Sequence, residues 1–337
     1  MSLLDKKYSL KFLNIWVSTF LDTLTGQMLP YTAVRLQEKI MPKKAFEKLR
    51  LCLKDKNLKV VVLMAFGDLS TLDAIGEALK EGLVKEATLV VRDEEASTAF
   101  NAGIKETNAK AIMTSSFDEM LKITIAEVKA SNNDVVLFCD GFNSFAIKIA
   151  VQALSTESAF LSHIACFKLP DKEKLMLLTD CFVNESPDEA TVVKEIKNAQ
   201  KLYCKLFGES VLKVALLAAN EKVSDKMPAT KLAKAVSENF FSNKEVIVEG
   251  PVSFDLAISP NSAEIKKYEG RIKGDADILV APRVETGDIL YKSFQRYIKL
   301  ETASVIYGAD FPIVCSFSGD SAKNKLNSLI LGLNLGR

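Results

Sequence analysis

From Val60 to the C terminus the chain alternates short apolar runs with stretches of helical spacing, and most of the runs end in Gly, Pro, Asp or Ser. The first are Val60–Phe66, Ala87–Val91, Ala111–Met113 and Val135–Cys139, with helices expected over Lys43–Lys54, Ala74–Leu83, Thr98–Ile104 and Asp118–Ala130. Leu161–Phe167, Leu175–Asp180, Val211–Ala219, Val305–Gly308 and Pro312–Cys315 continue the series. Runs this short suit strands buried on both faces, and their regular alternation with helices predicts an α/β fold in which mostly parallel sheets are covered by helices. At 337 residues, two domains are expected rather than one. Open sheets of this kind bind ligands beyond the carboxyl ends of their strands, which directs attention to the polar residues closing the runs.

Charge narrows the function. With 44 basic and 43 acidic residues the net charge is +1, which suits neither a nucleic-acid-binding protein nor an anionic membrane surface. The apolar stretch Phe12–Leu21 is broken by Asn14, Ser18 and Thr19. It is too short for a bilayer, which takes about 20 apolar residues, and no small-residue cleavage site follows it. Residues 1–42 therefore read as an amphipathic arm packed on the body or on a second subunit. Six scattered cysteines without a Cys-x-x-Cys pair read as reduced thiols of a cytoplasmic protein. His163 is the single histidine, which argues against a His-based metal site or a Ser-His-Asp triad. Neither a Gly-x-Gly-x-x-Gly fingerprint nor a P-loop occurs.

Several strand ends and turns carry candidate binding groups. Asp140-Gly141 closes its run either as a plain turn or as a ligand contact. Asn184-Glu185-Ser186-Pro187-Asp188 supplies a cap and a first-turn proline for a long helix, Glu189–Phe207, with Val192, Val193, Ile196, Ala199 and Leu202 on its buried stripe. Met227-Pro228-Ala229-Thr230 starts another helix, where Thr230 is either a cap or an anion ligand. Gly250-Pro251 is expected to turn the chain before Phe254-Asp255, and Asp288 to cap a helix opened by Glu285-Thr286-Gly287. Asp275-Ala276-Asp277 lacks the partner carboxylates a metal site needs, and none is expected there.

The order and spacing of these motifs resemble the phosphate acetyl/butyryltransferases. The resemblance rests on Ser162-His163, on Lys226-Met227-Pro228-Ala229-Thr230 following Glu221-Lys222-Val223, and on the stretch from Glu249 through Gly274–Pro282 and Glu285–Ser293 to Pro312–Ser321. It covers the chain from about Lys59 onward. It implies a two-domain architecture like that of isocitrate and isopropylmalate dehydrogenases, with the active-site cleft between the domains. The division expected is 1–42 as the arm, 43–154 plus 310–337 as the first domain, and 155–309 as the second, the last helix, Ala322–Leu333, returning to the first.

The implied reaction moves an acyl group of butyryl or acetyl type between coenzyme A and inorganic phosphate, with coenzyme A as a substrate and no tightly bound cofactor. A homodimer is implied, without nucleic acid or membrane partners. Carried onto this chain, the catalytic positions are Ser316, Ser318 and Asp320, and the substrate-binding positions are Asp140, Gly141, Thr230, Asp255, Asp288, Lys292 and Arg296. The family closes its last strand with Thr-Ser-Arg-Ala-Asp-Ser or Leu-Ser-Arg-Gly, whereas this chain has Ser316-Phe317-Ser318-Gly319-Asp320-Ser321. The arginine that would fork onto phosphate is missing, and Arg283, Lys292, Arg296 and Lys325 are the nearby cations that can replace it. Asn143-Ser144-Phe145 is also bulkier than the family pattern, and Asp288 stands where the family has Asn. These departures leave a second reading, a catalytically weak relative binding acyl-CoA or another anion in a regulatory or assembly role. A metal- and nicotinamide-dependent dehydrogenase is the least favoured reading.

Overall fold

The apolar runs form strands of a single sheet. A computed structural model describes residues 46–53, 58–64, 68–92, 94, 97–98, 108–131, 135–140, 147, 149, 153, 160–170, 172, 174–208 and 210–336. The N-terminal arm and most of the helix expected at 98–104 lie outside the described residues. The strands are β1 Lys59–Met64, β2 Glu86–Val91, β3 Ala109–Met113, β4 Val135–Asp140, β5 Ser162–Phe167, β6 Met176–Thr179, β7 Leu212–Leu217, β8 Val246–Val252, β9 Ile278–Val280, β10 Thr302–Tyr307 and β11 Ile313–Ser316. The helices described are α1 Glu47–Leu51, α2 Leu69–Lys80, α3 Phe117–Ala130, α4 Glu189–Phe207, α5 Pro228–Asn239, α6 Phe254–Ile258, α7 Pro260–Ile265, α8 Val284–Arg296 and α9 Ala322–Leu335.

The sheet order is β3-β2-β1-β4-β11-β10-β5-β6-β9-β7-β8. Pairing is parallel from β3 to β11 and again from β6 to β8. The antiparallel contacts are β11–β10, β10–β5 and β5–β6. Alternate residues of each strand face opposite layers. Val60, Val62, Val136 and Phe138 pack with α2, α4, α5 and α9 in one core that spans the sheet. On the other face Val61, Leu63, Leu137 and Cys139 pack with α3, while Ala165, Phe167, Met176 and Leu178 pack with α6 and α8. The expected α/β fold, a mostly parallel sheet with helices on both faces, is the fold observed. Among the described residues no helix is long and apolar enough to cross a membrane.

Two local expectations need correction. Gly250-Pro251 lies inside β8 rather than at a turn. A Cβ on Gly250 would stand 2.6 Å from Leu216 Cβ and 3.0 Å from Ala233 Cβ, so this glycine serves a close approach of strand and helix. The proline is tolerated because β8 is an edge strand. The helix expected to start at Asp288 starts at Val284 with Arg283 at the cap position. Asp288 therefore lies inside α8, and its carboxylate pairs with Lys292 at 2.8 Å.

Helix α4 has the bounds read from sequence because Asp188 accepts a hydrogen bond from Thr191 N–H and Gly208 ends the helix at φ 87°. Its buried stripe carries one exception to apolar packing. Glu195 has no exposed surface, and among the described residues neither carboxylate oxygen has a well-formed hydrogen bond, the Asn184 amide being the nearby donor. Burial first, then the nearby Asp180 charge, push its pKa from 4.5 up to about 9. Folded Glu195 is thus protonated at pH values where the unfolded chain is ionised, so unfolding releases a proton and stability falls as pH rises between these two values. Glu195→Gln should raise the urea midpoint at pH 8.5 more than at pH 5, and flatten its dependence on pH in between.

Candidate functional site

Three adjacent parallel strands end side by side, with Met64 of β1 and Ser316 of β11 both opposite Asp140 of β4. The N-termini of α2 and α9 meet at these ends, capped by Asp68 and Ser321. Their side chains form a buried polar cluster around Lys325, which has no exposed surface. Lys325 Nζ donates to Asp68 Oδ2 at 2.7 Å, to Thr71 Oγ1 at 2.8 Å and to both oxygens of Asp140 at 3.0 Å. Thr71 donates to Asp140 Oδ2 at 2.6 Å, and Ser316 Oγ donates to Asp140 Oδ1 at 2.8 Å. Burial alone would raise the Asp68 carboxyl, but hydrogen bonds from Lys325 and Ser70 outweigh it and hold the group below the usual carboxylate range.

The Ser316 hydroxyl spends its proton on Asp140, so it offers a substrate only lone pairs. Asp320 closes the same loop. Its Oδ2 accepts from Phe317 N–H at 3.2 Å and from the Tyr291 hydroxyl at 3.3 Å, while among the described residues Oδ1 is buried without a well-formed hydrogen bond, the Gln295 amide being the nearby donor. Burial raises its pKa, tuning it toward proton uptake. Ser318 and Gly319 are exposed between these anchors.

The four cations named from sequence are now separable. Lys325 is sequestered in the buried cluster; Arg283 pairs with Glu285 at 3.3 Å, and Lys292 with Asp288. Arg296 is exposed at the end of α8, and among the described residues its guanidinium makes no hydrogen bond or ion pair. It lies against the loop so closely that a side chain at Gly319 would overlap its Nη2.

Of the residues picked from sequence, Asp140, Ser316, Ser318, Asp320 and Arg296 are brought to one place, with Lys292 standing 5.9 Å from the Phe317 ring centroid. Gly141 lies outside the described residues. Thr230 and Asp255 follow β7 and β8. In the sheet β7 is five strand spacings from β11, about 24 Å at the usual spacing of about 4.8 Å. The buried Thr230 hydroxyl is committed to its own turn, donating to Met227 O at 2.7 Å and accepting from Ser224 N–H at 2.9 Å. Asp255 pairs with Lys266 at 2.9 Å. Asp275 and Asp277 are ion-paired with Lys213 and Lys174.

Sequence reasoning places Gly67-Asp68 at a strand end where binding groups can sit, but it missed Thr71 and the buried role of Lys325. A signal existed for Lys325. It precedes Leu329 by four residues and Leu333 by eight, on the apolar stripe of α9, where a solvated lysine does not belong.

Residues 141–333 match the family model described as phosphate acetyl/butaryl transferase. A probable phosphate butyryltransferase of Bacillus subtilis (strain 168) is 36% identical over 220 residues, which are 64% of this chain and 73% of that protein. A phosphate butyryltransferase of Clostridium acetobutylicum is 26% identical over 295 residues, or 86% and 97% of the two chains. Among solved structures, a branched-chain phosphotransacylase from Enterococcus faecalis V583 has TM-score 0.70 at 29% identity, covering 82% of this chain and 98% of that one. At 20% identity, a phosphotransacetylase from Staphylococcus aureus shares the fold with TM-score 0.63, covering 87% of this chain and 98% of that one.

Replacing Lys325 by Met would leave two aspartates facing each other without their cation. Breaking a buried pair in this way costs about 3–5 kcal/mol, measurable by urea denaturation. Adding Asp140→Asn should recover part of that loss, because one of the stranded charges is then removed.

Proposed function

The chain belongs to the phosphate acetyl/butyryltransferase family, and on that premise we propose that it transfers short acyl groups between coenzyme A and phosphate at the Ser316–Ser321 loop, with Arg296 in place of the family's arginine. The observation that carries this reading is the unpaired Arg296 guanidinium lying along Gly319 beside the exposed Ser318. A guanidinium fork and a hydroxyl are the donors that a phosphate or acyl-phosphate group calls for.

In the direction that makes acyl phosphate, a phosphate oxygen attacks the thioester carbonyl, the C–S bond breaks and coenzyme A leaves as thiolate. In reverse, the thiol gives up its proton and attacks the acyl carbon, and the C–O bond to phosphate breaks. We assign that proton to Asp320, whose burial and lack of a well-formed hydrogen bond at Oδ1 favour taking it up. Arg296 and Ser318 hold the phosphate. Asp140, Thr71 and Lys325 fix the loop through Ser316. The meeting of β11 with antiparallel β10 supports placing the boundary between the two expected domains there. A homodimer rests on the family resemblance, and a cytoplasmic setting on six scattered cysteines without a Cys-x-x-Cys pair.

The test is thiol release from butyryl-CoA with and without phosphate. Phosphate-dependent release is expected, and its absence from folded protein would overturn the proposal. Arg296→Gln should lower kcat/KM about 10- to 100-fold, the worth of about 1.5–3 kcal/mol for a charged hydrogen bond, with much of the loss in KM for phosphate. An unchanged kcat/KM would remove Arg296 from the site.

A further inference from the structure

Helix α8 sends two kinds of side chain toward the Ser316–Ser321 loop. Arg296 lies outside, along Gly319. Tyr291 is 1% exposed and packs inward, its ring 5.4 Å from that of Phe317 and 6.1 Å from that of His163. A buried phenol needs a partner for its hydroxyl. Two lie within reach, Asp320 Oδ2 at 3.3 Å and Ser304 Oγ at 3.5 Å. Ser304 gives its own proton to Cys315 O at 2.6 Å and leaves Tyr291 only lone pairs. The single phenolic proton thus chooses between a neutral hydroxyl and a carboxylate. The carboxylate is nearer, and when ionised it is the stronger acceptor. Burial first, then the Asp320 charge, hold the Tyr291 pKa well above its usual value, so the phenol stays a donor.

That bond bears on the proton assigned to Asp320. Oδ2 already accepts from Phe317 N–H at 3.2 Å, and the Tyr291 hydroxyl takes its second lone pair. Oδ1 is thereby left as the oxygen on which a proton can settle. Three further side chains face the carboxylate. Gln295 spends an amide hydrogen on Thr302 Oγ1 at 2.8 Å, and Lys325 is engaged with Asp68 and Asp140. Cys315 is a thiol that burial keeps neutral. Ser70 reaches only the Asp320 main-chain oxygen, at 3.2 Å.

We propose that Tyr291 is a positioning residue for proton transfer: by holding Oδ2 it favours the ionised Asp320 carboxylate and leaves Oδ1 to take the coenzyme A proton. The proposal rests on the phosphate acyltransferase reading above. When coenzyme A meets acyl phosphate, the S–H bond breaks and an O–H bond forms at Oδ1. Sulfur attacks the acyl carbon, the C–O bond to phosphate breaks, and the proton leaves on the released phosphate. A donor on Oδ2 opposes the burial that raises the Asp320 pKa. Losing it should raise that pKa by about one unit. The base must be ionised to accept the thiol proton, so the acid limb of the rate profile moves up with it.

The test titrates the Asp320 carboxyl carbon by NMR in the aspartate-labelled full chain, its resonance assigned by its loss in Asp320→Asn. Alongside runs the pH profile of kcat/KM for thioester formation from butyryl phosphate and coenzyme A. Tyr291→Phe removes the hydroxyl and keeps the ring against Phe317 and His163; Tyr291→Leu covers the case in which that variant does not fold. Ser304→Ala removes a hydroxyl beside Tyr291 that does not touch Asp320. Tyr291→Phe should raise the carboxyl midpoint by about one pH unit, and the acid limb with it, whereas Ser304→Ala should move neither. An unmoved midpoint in Tyr291→Phe overturns the proposal. So does a midpoint that rises while the acid limb stays, or an equal shift in Ser304→Ala. No thioester from the wild-type chain would instead sink the transferase reading alone, and the carboxyl midpoint would still decide whether Tyr291 holds Asp320.

Discussion

A lysine ammonium with no exposed surface, held by two aspartates and a threonine, fixes the carboxyl end of the sheet. Burying Lys325 without Asp140 and Asp68, or either aspartate without the lysine, would cost several kcal/mol. The ends of β4 and β11 and the first turns of α2 and α9 are thereby tied to a common condition. All are in place together, or the cluster is a liability. The same helix is fastened further along by neutral bonds. Because β11 pairs with β10 only at Val305 and Ile306, the N–H groups of Thr302 and Ser304 are taken by Asn324 Oδ1 at 3.3 Å and Ser328 Oγ at 2.9 Å. The C-terminal helix thus completes the hydrogen bonding of a strand that a short neighbour leaves unfinished.

That cluster also decides what the loop after β11 can present. Ser316 is the residue a reader of the sequence would choose as a donor, yet its proton goes to Asp140 and it works as an anchor. Ser318 and Gly319 are left free between two fixed points, Ser316 below and Asp320 above, the latter held through Phe317 N–H and Tyr291. A short exposed segment anchored at both ends loses little freedom when a ligand docks on it, which is the economical way to build a binding loop.

The strands were legible because both faces of the sheet are covered, so each run is apolar throughout and stands out from its surroundings. Helix α4 was legible to the residue because its two ends carry ordinary capping chemistry. β8 was missed because Gly250-Pro251 has the composition of a turn, and only the packing of Ala233 and Leu216 against the glycine shows otherwise. The start of α8 was missed because Arg283 caps it without a side-chain bond, leaving Asp288 as the only conventional cap in view. Asp140 was legible as a polar residue closing a strand, whereas Ser316 and Asp320 were placed by the family resemblance. Lys325, the partner of Asp140, lies 185 residues from it, and no local pattern carries a contact across that distance. It is visible beforehand only as a charge on an apolar stripe.

The fate of the missing arginine follows from counting cations once their partners are known. Three of the four nearby candidates are already neutralised, one of them out of reach of solvent, and the fourth lies on the glycine of the altered loop. A side chain at position 319 would push the Arg296 guanidinium aside, so the glycine leaves it lying on the loop. The departures from the family motif therefore belong together. With serine at 318 in place of arginine, we propose that the charge comes from Arg296 of α8. With phenylalanine at 317 in place of serine, the ring fills the inner side that a polar residue would leave wet. An exposed serine and glycine beside an arginine without an ion pair, with the buried Asp320 carboxylate three residues from the partly exposed Phe317 ring, are the groups on which the transferase proposal rests.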